Sequence, residues 1–184
     1  SLQPFARSAV CNVHGVRAEF ISVGREKAAE PSFDGGAYFI GKLLWAKGHR
    51  LLIDYLQGGD ATRGTRVDIY GDGDDAQAVK NAAAAAGLDL RFCGGIDHAH
   101  PSITGYKVFV NPSQTEVLST TTAEALAMGK LVVIERHPSN EFFYQFANVR
   151  TYDTPEGFRT ALLAALGSTP APLTEAESHA LSWM

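Results

Sequence analysis

The chain has 184 residues, with 16 Lys and Arg against 20 Asp and Glu, which gives a formal net charge of −4. This slightly acidic balance argues against nucleic acid as a partner, because surfaces that bind it are strongly basic. Apolar residues make up 45% of the chain, which is typical of a folded globular domain and excludes a disordered or fibrous one. No apolar run reaches the roughly 18 to 20 residues that span a bilayer, so we expect any membrane contact to be peripheral.

Strand-like and helix-like segments alternate along most of the chain. Residues 1–35 carry mixed charges with scattered Gly and Pro, and we expect a lead-in segment with at most one strand there. From residue 36 to residue 184 we expect one domain. The predicted strands cover residues 37–40, 67–70, 88–92, 107–110, 131–134 and 149–152. Their apolar character without polar alternation indicates an α/β fold with a doubly wound parallel sheet, in which ligands bind beyond the carboxyl ends of the strands.

Helical patterns fill the intervals between these strands. An apolar stripe follows Gly48, and a second helix is predicted through residues 79–86, where Asp74 or Asp75 can cap its start. A third helix is predicted over residues 121–128. The loops that precede these helices are therefore the places where we expect chemistry.

The loop after the first predicted strand carries two cations. Gly41 allows the backbone to approach a ligand closely, and Lys42 and Lys47 place two ammonium groups near the start of the next helix. Free amides at a helix N-terminus also favour an anion, so this loop predicts a diphosphate site. The alternative is that both lysines are solvated surface charges.

The loops after the second and third strands allow several interpretations. Residues 70–74 fit only the loose form of the dinucleotide fingerprint, and no acidic ribose partner follows the third strand, so a dinucleotide site is disfavoured. Asp97, His98 and His100 invite comparison with a metal site, which we also disfavour because few further ligands follow. The remaining hypothesis is that backbone groups around Cys93 and Ile96 bind a planar base.

Two carboxylates lie eight residues apart in the segment that leads into the third predicted helix. We place Glu116 in a loop and Glu124 in the first helical turn, so that both approach one helix N-terminus. The backbone amides of residues 119–121 are then available for a phosphate. The alternatives are that Thr121 and Glu124 form a capping box without any ligand, and that Glu116 is solvated.

These motifs resemble a known family. The spacing of Glu116 and Glu124 resembles the Glu-x7-Glu motif of retaining glycosyltransferases with the GT-B fold, which have two Rossmann-like halves, and residues 41–48 resemble their phosphate-binding loop. The segments at residues 41–48, 70–74 and 107–140 are similar to the digalactosyldiacylglycerol synthase family, which makes a plant and algal galactolipid. The sequence departs from the wider superfamily at Lys42, where Arg is usual.

The resemblance implies a division of the chain and of its catalytic roles. Residues 36–184 would form the nucleotide-sugar-binding domain, the C-terminal half of a GT-B enzyme, and an amino-terminal acceptor domain would precede it. Lys42 and Lys47 would neutralise the diphosphate of UDP-galactose, and Glu116 would face the galactose hydroxyls. No divalent metal or other cofactor would be required.

The resemblance also implies which residues bind the rest of the donor. Glu124 would accept hydrogen bonds from the ribose hydroxyls. Phosphate oxygens would be bound by backbone at Ser119 and Thr120, with the amide of Thr121 beside them. Backbone at Cys93 and Ile96 would bind uracil.

The resemblance implies a galactolipid acceptor, monogalactosyldiacylglycerol, bound through the missing half. It also implies peripheral association of the full-length protein with the chloroplast outer envelope membrane. Two alternatives stay open from the sequence: a glycosyltransferase that uses UDP-sugar with another acceptor, and a non-catalytic nucleotide-binding or phosphate-sensing module.

Overall fold

A computed structural model of the protein describes residues 15–114, 116 and 118–182. Within these residues, six strands form one sheet in the order β3-β2-β1-β4-β5-β6, and every neighbouring pair is parallel. The strands are β1 (Gly35–Ile40), β2 (Val67–Tyr70), β3 (Leu90–Gly94), β4 (Tyr106–Asn111), β5 (Leu131–Glu135) and β6 (Val149–Tyr152). The predicted doubly wound parallel sheet is confirmed, and the third strand begins two residues later than predicted.

Helices cover both faces of this sheet. They are α1 (Ala18–Ala29), α2 (His49–Gln57), α3 (Asp60–Arg63), α4 (Ala76–Ala85), α5 (Pro101–Thr104), α6 (Thr120–Ala127), α7 (Pro155–Gly167) and α8 (Glu175–Leu181). Two 3₁₀ helices, Trp45–Lys47 and Pro138–Gln145, lie in the connections. No helix among the described residues is long and apolar enough to cross a bilayer.

The core consists of two apolar layers separated by the sheet. Because side chains alternate between the faces of a strand, Tyr38 and Ile40 of β1 join one layer, whereas Phe39 joins the other. Phe20 of α1 is buried in the first layer, and Phe158 of α7 is buried in the second. Both faces of the sheet are therefore excluded from water, as the continuous apolar strands predicted.

The described part of residues 1–35 agrees with the expectation of at most one strand, since β1 begins at Gly35, but it also contains helix α1, which was not predicted. Its side chains Phe20 and Ile21 are buried in the core. Gly24, which reads as a breaker in the sequence, lies so close to α6 that an added Cβ would be 2.0 Å from the carbonyl oxygen of Ala127. The glycine thus permits a close helix contact, and the boundary of the domain at residue 36 stays a prediction.

The strand order reverses direction between β1 and β4. In open parallel sheets, the loops that follow the two strands at such a point diverge and leave a crevice beyond their carboxyl ends. The loop that follows Ile40 and the loop that follows Asn111 are the two in question. Lys42, Lys47 and Glu116 lie in these two connections.

Candidate functional site

A cleft of about 580 Å³ opens where β1 and β4 end. Its volume falls within the range of about 300 to 1,000 Å³ that is usual for small-molecule sites. The following predicted site residues line it: Gly41, Lys42, Lys47, Ile96, Glu116, Ser119, Thr120 and Thr121. The structure therefore brings together residues that are up to 80 positions apart in the sequence (121 − 41 = 80). Cys93 and Glu124 do not line the cleft directly.

Backbone contacts between two loops fix the start of the cation-bearing segment. The amide of Gly41 donates to the Tyr70 carbonyl at 3.0 Å, and the amide of Leu43 donates to the Asp72 carbonyl at 3.0 Å. Gly71 has φ +136° and lies so close that a Cβ would be 1.8 Å from the Gly41 oxygen. Only glycine fits this contact, which holds the loops after β1 and β2 side by side.

Asp75 stabilises the same segment in a way that the sequence did not reveal. It occupies the N-cap position of α4, but its side chain makes no capping hydrogen bond there, so that part of the prediction is wrong. Instead its Oδ2 accepts a hydrogen bond from the Trp45 amide at 2.9 Å, and its own amide donates to Leu43 at 3.2 Å. The carboxylate therefore holds the loop that carries Lys42 and Lys47.

His49 stabilises the backbone at Lys42. Its Nε2 lies 3.1 Å from the Lys42 carbonyl oxygen, and its ring packs edge-on against Phe39. Burial lowers the pKa of His49, so the imidazole is neutral and donates Nε2–H to that carbonyl. This role was not predicted, because the contact joins residues seven positions apart across a turn.

Lys47 and Glu116 form an ion pair across the cleft. The Nζ–Oε1 distance is 2.7 Å, and the Ser113 hydroxyl donates to the same carboxylate oxygen at 3.3 Å. Gly48, with φ +84°, brings the two loops together, because a Cβ there would lie 2.6 Å from the Pro112 carbonyl oxygen. Glu116 is therefore part of the site and not a solvated loop residue.

Lys42 differs from Lys47 in its surroundings. It is exposed at the mouth of the cleft, and it makes no ion pair with any described residue. Its ammonium group is consequently available to an anion that enters the cleft.

The N-terminus of α6 faces the cleft. Thr120 is the first helical residue and Ser119 is the N-cap, whose Oγ accepts a hydrogen bond from the Thr122 amide at 3.3 Å. Asn111, buried at the end of β4, donates to the same Oγ at 2.9 Å and was not singled out in the sequence. The alternative of a capping box between Thr121 and Glu124 is wrong, because the N-cap is Ser119, two residues before Thr121.

Glu124 instead lies in the second turn of α6, where it contacts a histidine. Its Oε2 is 2.7 Å from Nδ1 of His98, and both side chains are partly buried. The bond to Glu124 raises the pKa of His98 above its ordinary value, and burial opposes this shift. His98 lines the cleft and Glu124 does not, so the histidine is the member of this pair that faces the cavity.

The residues considered for a metal site have other partners. The Asp97 carboxylate accepts hydrogen bonds from Arg17 and from the Ala99 amide, at 3.0 and 2.8 Å. His100 caps α5 by accepting from the Ser102 amide. Among the residues that the structure describes, no three His, Cys, Asp or Glu side chains are grouped so that they could hold a metal ion.

The predicted base-binding residues lie at one end of the cleft. Ile96 lines it together with Gly95, whereas Cys93, at the end of β3, is exposed and outside its lining. The Gly94 carbonyl accepts from the Gly71 amide at 2.8 Å, which connects this loop to the one after β2. The structure thus brings Ile96 to the site and leaves the Cys93 side chain beside it.

Comparison with known proteins identifies the class to which this fold and this cleft belong. The family model for glycosyl transferases group 1 matches residues 36–168. The chain therefore belongs to that family of glycosyl transferases.

Its curated relatives are more specific. The chain is 49% identical to digalactosyldiacylglycerol synthase 1, chloroplastic, of Lotus japonicus and 48% identical to digalactosyldiacylglycerol synthase 2, chloroplastic, of Arabidopsis thaliana. Each comparison covers 98% of this chain but only 24% and 40%, respectively, of the relative. The resemblance predicted from the sequence motifs is confirmed, and the chain spans less than half the length of these relatives.

Solved structures of low sequence identity share the fold. A glycosyltransferase from Rickettsia africae superposes with a TM-score of 0.70 at 17% identity, over 91% of this chain and 50% of that one. The Anabaena protein HepE, solved in complex with UDP and glucose, superposes with a TM-score of 0.64 at 16% identity, over 91% and 49%. These likenesses confirm the expected Rossmann-like fold of GT-B glycosyltransferases.

Proposed function

We propose that this chain is the donor-binding half of a galactosyltransferase that moves galactose from UDP-galactose to monogalactosyldiacylglycerol and so makes digalactosyldiacylglycerol. The names of the relatives at 48–49% identity support the product. The share of those relatives that the chain spans supports the assignment to one half. The acceptor, a galactolipid, would bind mainly through the other half.

The observation that carries this proposal is the meeting of two ammonium groups and a helix N-terminus in one cleft. Lys42, Lys47 and the first residues of α6 all line it. When the bond between the anomeric carbon and the phosphate breaks, negative charge develops on the departing UDP. Preorganised cations and helix amides stabilise that charge, which is commonly the largest contribution to catalysis.

Lys47 can serve the diphosphate and Glu116 at the same time. An ammonium group has three N–H donors, and one of them is used by Glu116. No other described residue accepts a hydrogen bond from Lys47 Nζ, so two donors remain for phosphate oxygens. The ion pair would then hold Glu116 beside the sugar, where its carboxylate accepts hydrogen bonds from galactose hydroxyls and stabilises positive charge on the ring.

The remaining assignments follow the length of the nucleotide. Backbone amides at residues 119–121 would bind phosphate oxygens, and Gly41 would let the backbone of the first loop approach them. Glu124 would act on the ribose hydroxyls, because no described residue donates to its Oε1. Backbone at Cys93 and Ile96 would bind uracil.

We propose further that transfer proceeds with retention at the anomeric carbon, and that the lysines neutralise the diphosphate without a divalent cation. A lysine at position 42 supplies a point charge in place of the bidentate arginine that is usual in the superfamily. Activity of the full-length enzyme should therefore persist in excess EDTA. Loss of transfer on chelation, restored by Mg²⁺ or Mn²⁺, would contradict this part of the proposal.

The relatives are named chloroplastic, and we place this protein in the chloroplast as well. We propose peripheral association of the full-length protein with the outer envelope membrane, where a galactolipid acceptor is accessible. Fractionation of isolated chloroplasts tests this. The protein should follow the outer envelope and be released by alkaline carbonate.

Titration of the 184-residue chain with UDP, followed by amide NMR shifts, tests the donor site. We expect shifts confined to residues 41–48, 93–98 and 116–124, with weak affinity because the other half is missing. Uridine is the matched control, because it lacks the diphosphate and should not shift the amide signals of residues 41–48. If saturating UDP shifted the amide signals of none of these loops, every donor-site assignment would be wrong.

The same chain should transfer no galactose, since GT-B chemistry takes place between two halves. A radiolabelled UDP-galactose assay with monogalactosyldiacylglycerol in mixed micelles measures this, with the full-length protein as the positive control. Synthesis of digalactosyldiacylglycerol by the 184-residue chain would contradict its assignment as one half.

A further inference from the structure

His98 is the titratable group of the cleft that the proposed donor contacts leave without a role. It lies in the connection between β3 and α5 and lines the cavity on the same side as Ile96. Glu124, to which the ribose contact is assigned, does not line the cavity. The side chain that meets the cavity first is therefore the imidazole.

The two ring nitrogens of His98 have different environments. Nδ1 lies 2.7 Å from Oε2 of Glu124. A carboxylate can only accept, so Nδ1 carries a proton and donates it. Among the described residues nothing bonds to Nε2, and that atom is left for a ligand.

Charged groups around the ring favour its protonated form. Glu124 of α6 supplies the main negative charge and raises the pKa of His98, and Asp97 of the same loop acts in the same direction. Burial and Arg17, which precedes α1, oppose them. The geometry by itself already orients the ring, and these charges favour the imidazolium, in which Nε2–H is a second donor.

We propose that His98 is a nucleotide-binding residue, which donates Nε2–H to an oxygen of the bound nucleoside diphosphate while Glu124 holds the ring through Nδ1. This inference rests on the proposed function, because it assumes that the cleft binds UDP. It adds to the part that Glu124 plays: besides its proposed ribose contact, the carboxylate orients the histidine that contacts the ligand.

A protonated His98 makes UDP affinity depend on pH. The anionic ligand stabilises the imidazolium, so binding raises the affinity of His98 for its proton, and by linkage the proton raises the affinity for UDP. Affinity is highest below the pKa of His98 in the free protein and falls as pH rises through the pKa of the complex. We expect UDP to bind about fivefold more weakly at pH 8.5 than at pH 6, beyond any change shown by a variant without the imidazole.

Two amide variants separate the two nitrogens. In His98→Asn the amide nitrogen lies near the former Nδ1, so it keeps the bond to Glu124 and loses the contact at Nε2. In His98→Gln the longer side chain places its amide nitrogen near the former Nε2. Neither amide titrates, so both remove the pH dependence. His100→Asn is the matched control in the same loop, because Asn can still cap α5.

The experiment is calorimetric titration of the 184-residue chain and its variants with UDP between pH 6 and pH 8.5, with circular dichroism to check folding. At pH 6 we expect His98→Asn to bind UDP about tenfold more weakly than the wild type. His98→Gln should lie within about threefold of the wild type, and His100→Asn should match the wild type in affinity and pH profile.

The outcomes distinguish this inference from the proposed function. Wild-type binding with an unchanged affinity and pH profile in both folded His98 variants overturns the role of His98 and leaves the donor site intact. Full affinity in His98→Asn together with weak binding in His98→Gln shows that His98 only positions Glu124, which also overturns the direct contact. Absence of UDP binding by the wild type overturns both proposals.

Discussion

Charged side chains collect at both ends of the sheet, but their surroundings differ. At the amino-terminal end, Asp68 of β2 is buried, and its carboxylate accepts hydrogen bonds from Arg66, Arg91 and Tyr106. These donors lower the pKa of Asp68 against the opposing effect of burial. The hydrogen-bonding capacity of the carboxylate is therefore used within the protein.

Lys130, just before β5, shows the same pattern. It is fully buried, and its Nζ donates to the carbonyl oxygens of Ile103, Thr104 and Tyr106 at 2.7, 3.1 and 2.7 Å. Its three possible donors have three acceptors. Such a group stabilises one arrangement of the chain and has nothing left for a ligand.

At the carboxyl-terminal end, the charged groups keep unused capacity. Lys42 makes no ion pair with a described residue, and Lys47 uses one of its donors for Glu116. Nε2 of His98 has no hydrogen-bond partner within the described part of the chain. The comparison teaches that charge alone does not mark the site. Unused donors around a cavity distinguish it from a network that is complete.

Replacement of Lys130 should have the largest effect, and it should change the stability of the protein but not its UDP binding. Lys130→Met removes the donors of three buried carbonyl groups, and we expect the free energy of unfolding to drop by about 3 kcal/mol. Urea unfolding measures this, with Lys80→Met as the control because Lys80 is exposed on α4. UDP affinity of the folded variant should not change.

The same variant has a pH signature. Burial lowers the pKa of Lys130, so the unfolded chain binds more protons than the folded chain between that lowered value and the ordinary value of about 10.4. Stability of the wild type should therefore gain from this group as pH rises through that window. Lys130→Met should lack this gain. If the free energy of unfolding depended on pH in the same way in both proteins, the pKa of Lys130 would not be lowered by folding.

Replacement of Glu116 tests the cleft at the carboxyl-terminal end of the sheet. In the full-length enzyme, Glu116→Ala should lower turnover about 100-fold, because it removes a carboxylate from beside the sugar ring. The Kd for UDP should stay within about threefold, because UDP lacks the galactose that we propose Glu116 to contact. Steady-state kinetics and calorimetry measure the two effects separately.

Glu124→Ala should weaken UDP binding about tenfold and change turnover at saturating donor much less. The expected loss combines the proposed ribose contact with the proposed support of His98. Calorimetry on the same protein preparation as for Glu116→Ala gives the comparison. Equal losses of UDP affinity in both variants would contradict the division of roles between the two carboxylates.

The smallest effect is expected at Lys42. Lys42→Ala should raise the Kd for UDP about fivefold, since it removes an exposed charge that is screened by solvent. Lys42→Arg should return the Kd to within about threefold of the wild type, because the charge is kept and a guanidinium can bind phosphate bidentately. Binding at low and high salt should show a smaller salt dependence in the alanine variant alone.

Much of the site was predictable because it depends on local patterns. The six apolar runs predicted the strands, and the loops after them were the places where chemistry was expected. The candidates in those loops lie together at the cleft: Lys42, Lys47, Glu116 and residues 119–121. Asp75, Asn111 and His49 were not assigned their contacts. Asp75 bonds to a residue 30 positions away, whereas His49 and Asn111 bond across turns of seven and eight residues whose course the sequence pattern does not define.

The sequence by itself determined the class of fold and the family, because the alternation of buried strands and helices and the motifs at their ends are properties of neighbouring residues. Tertiary structure decided the partners: Glu124 bonds to His98 instead of capping its helix, Lys47 bonds to Glu116, and α1 packs on α6 through Gly24. These contacts join segments brought together by the parallel crossovers. Hydrogen bonds and ion pairs need atoms within about 3 Å, and only the folded chain sets distances between residues far apart in sequence.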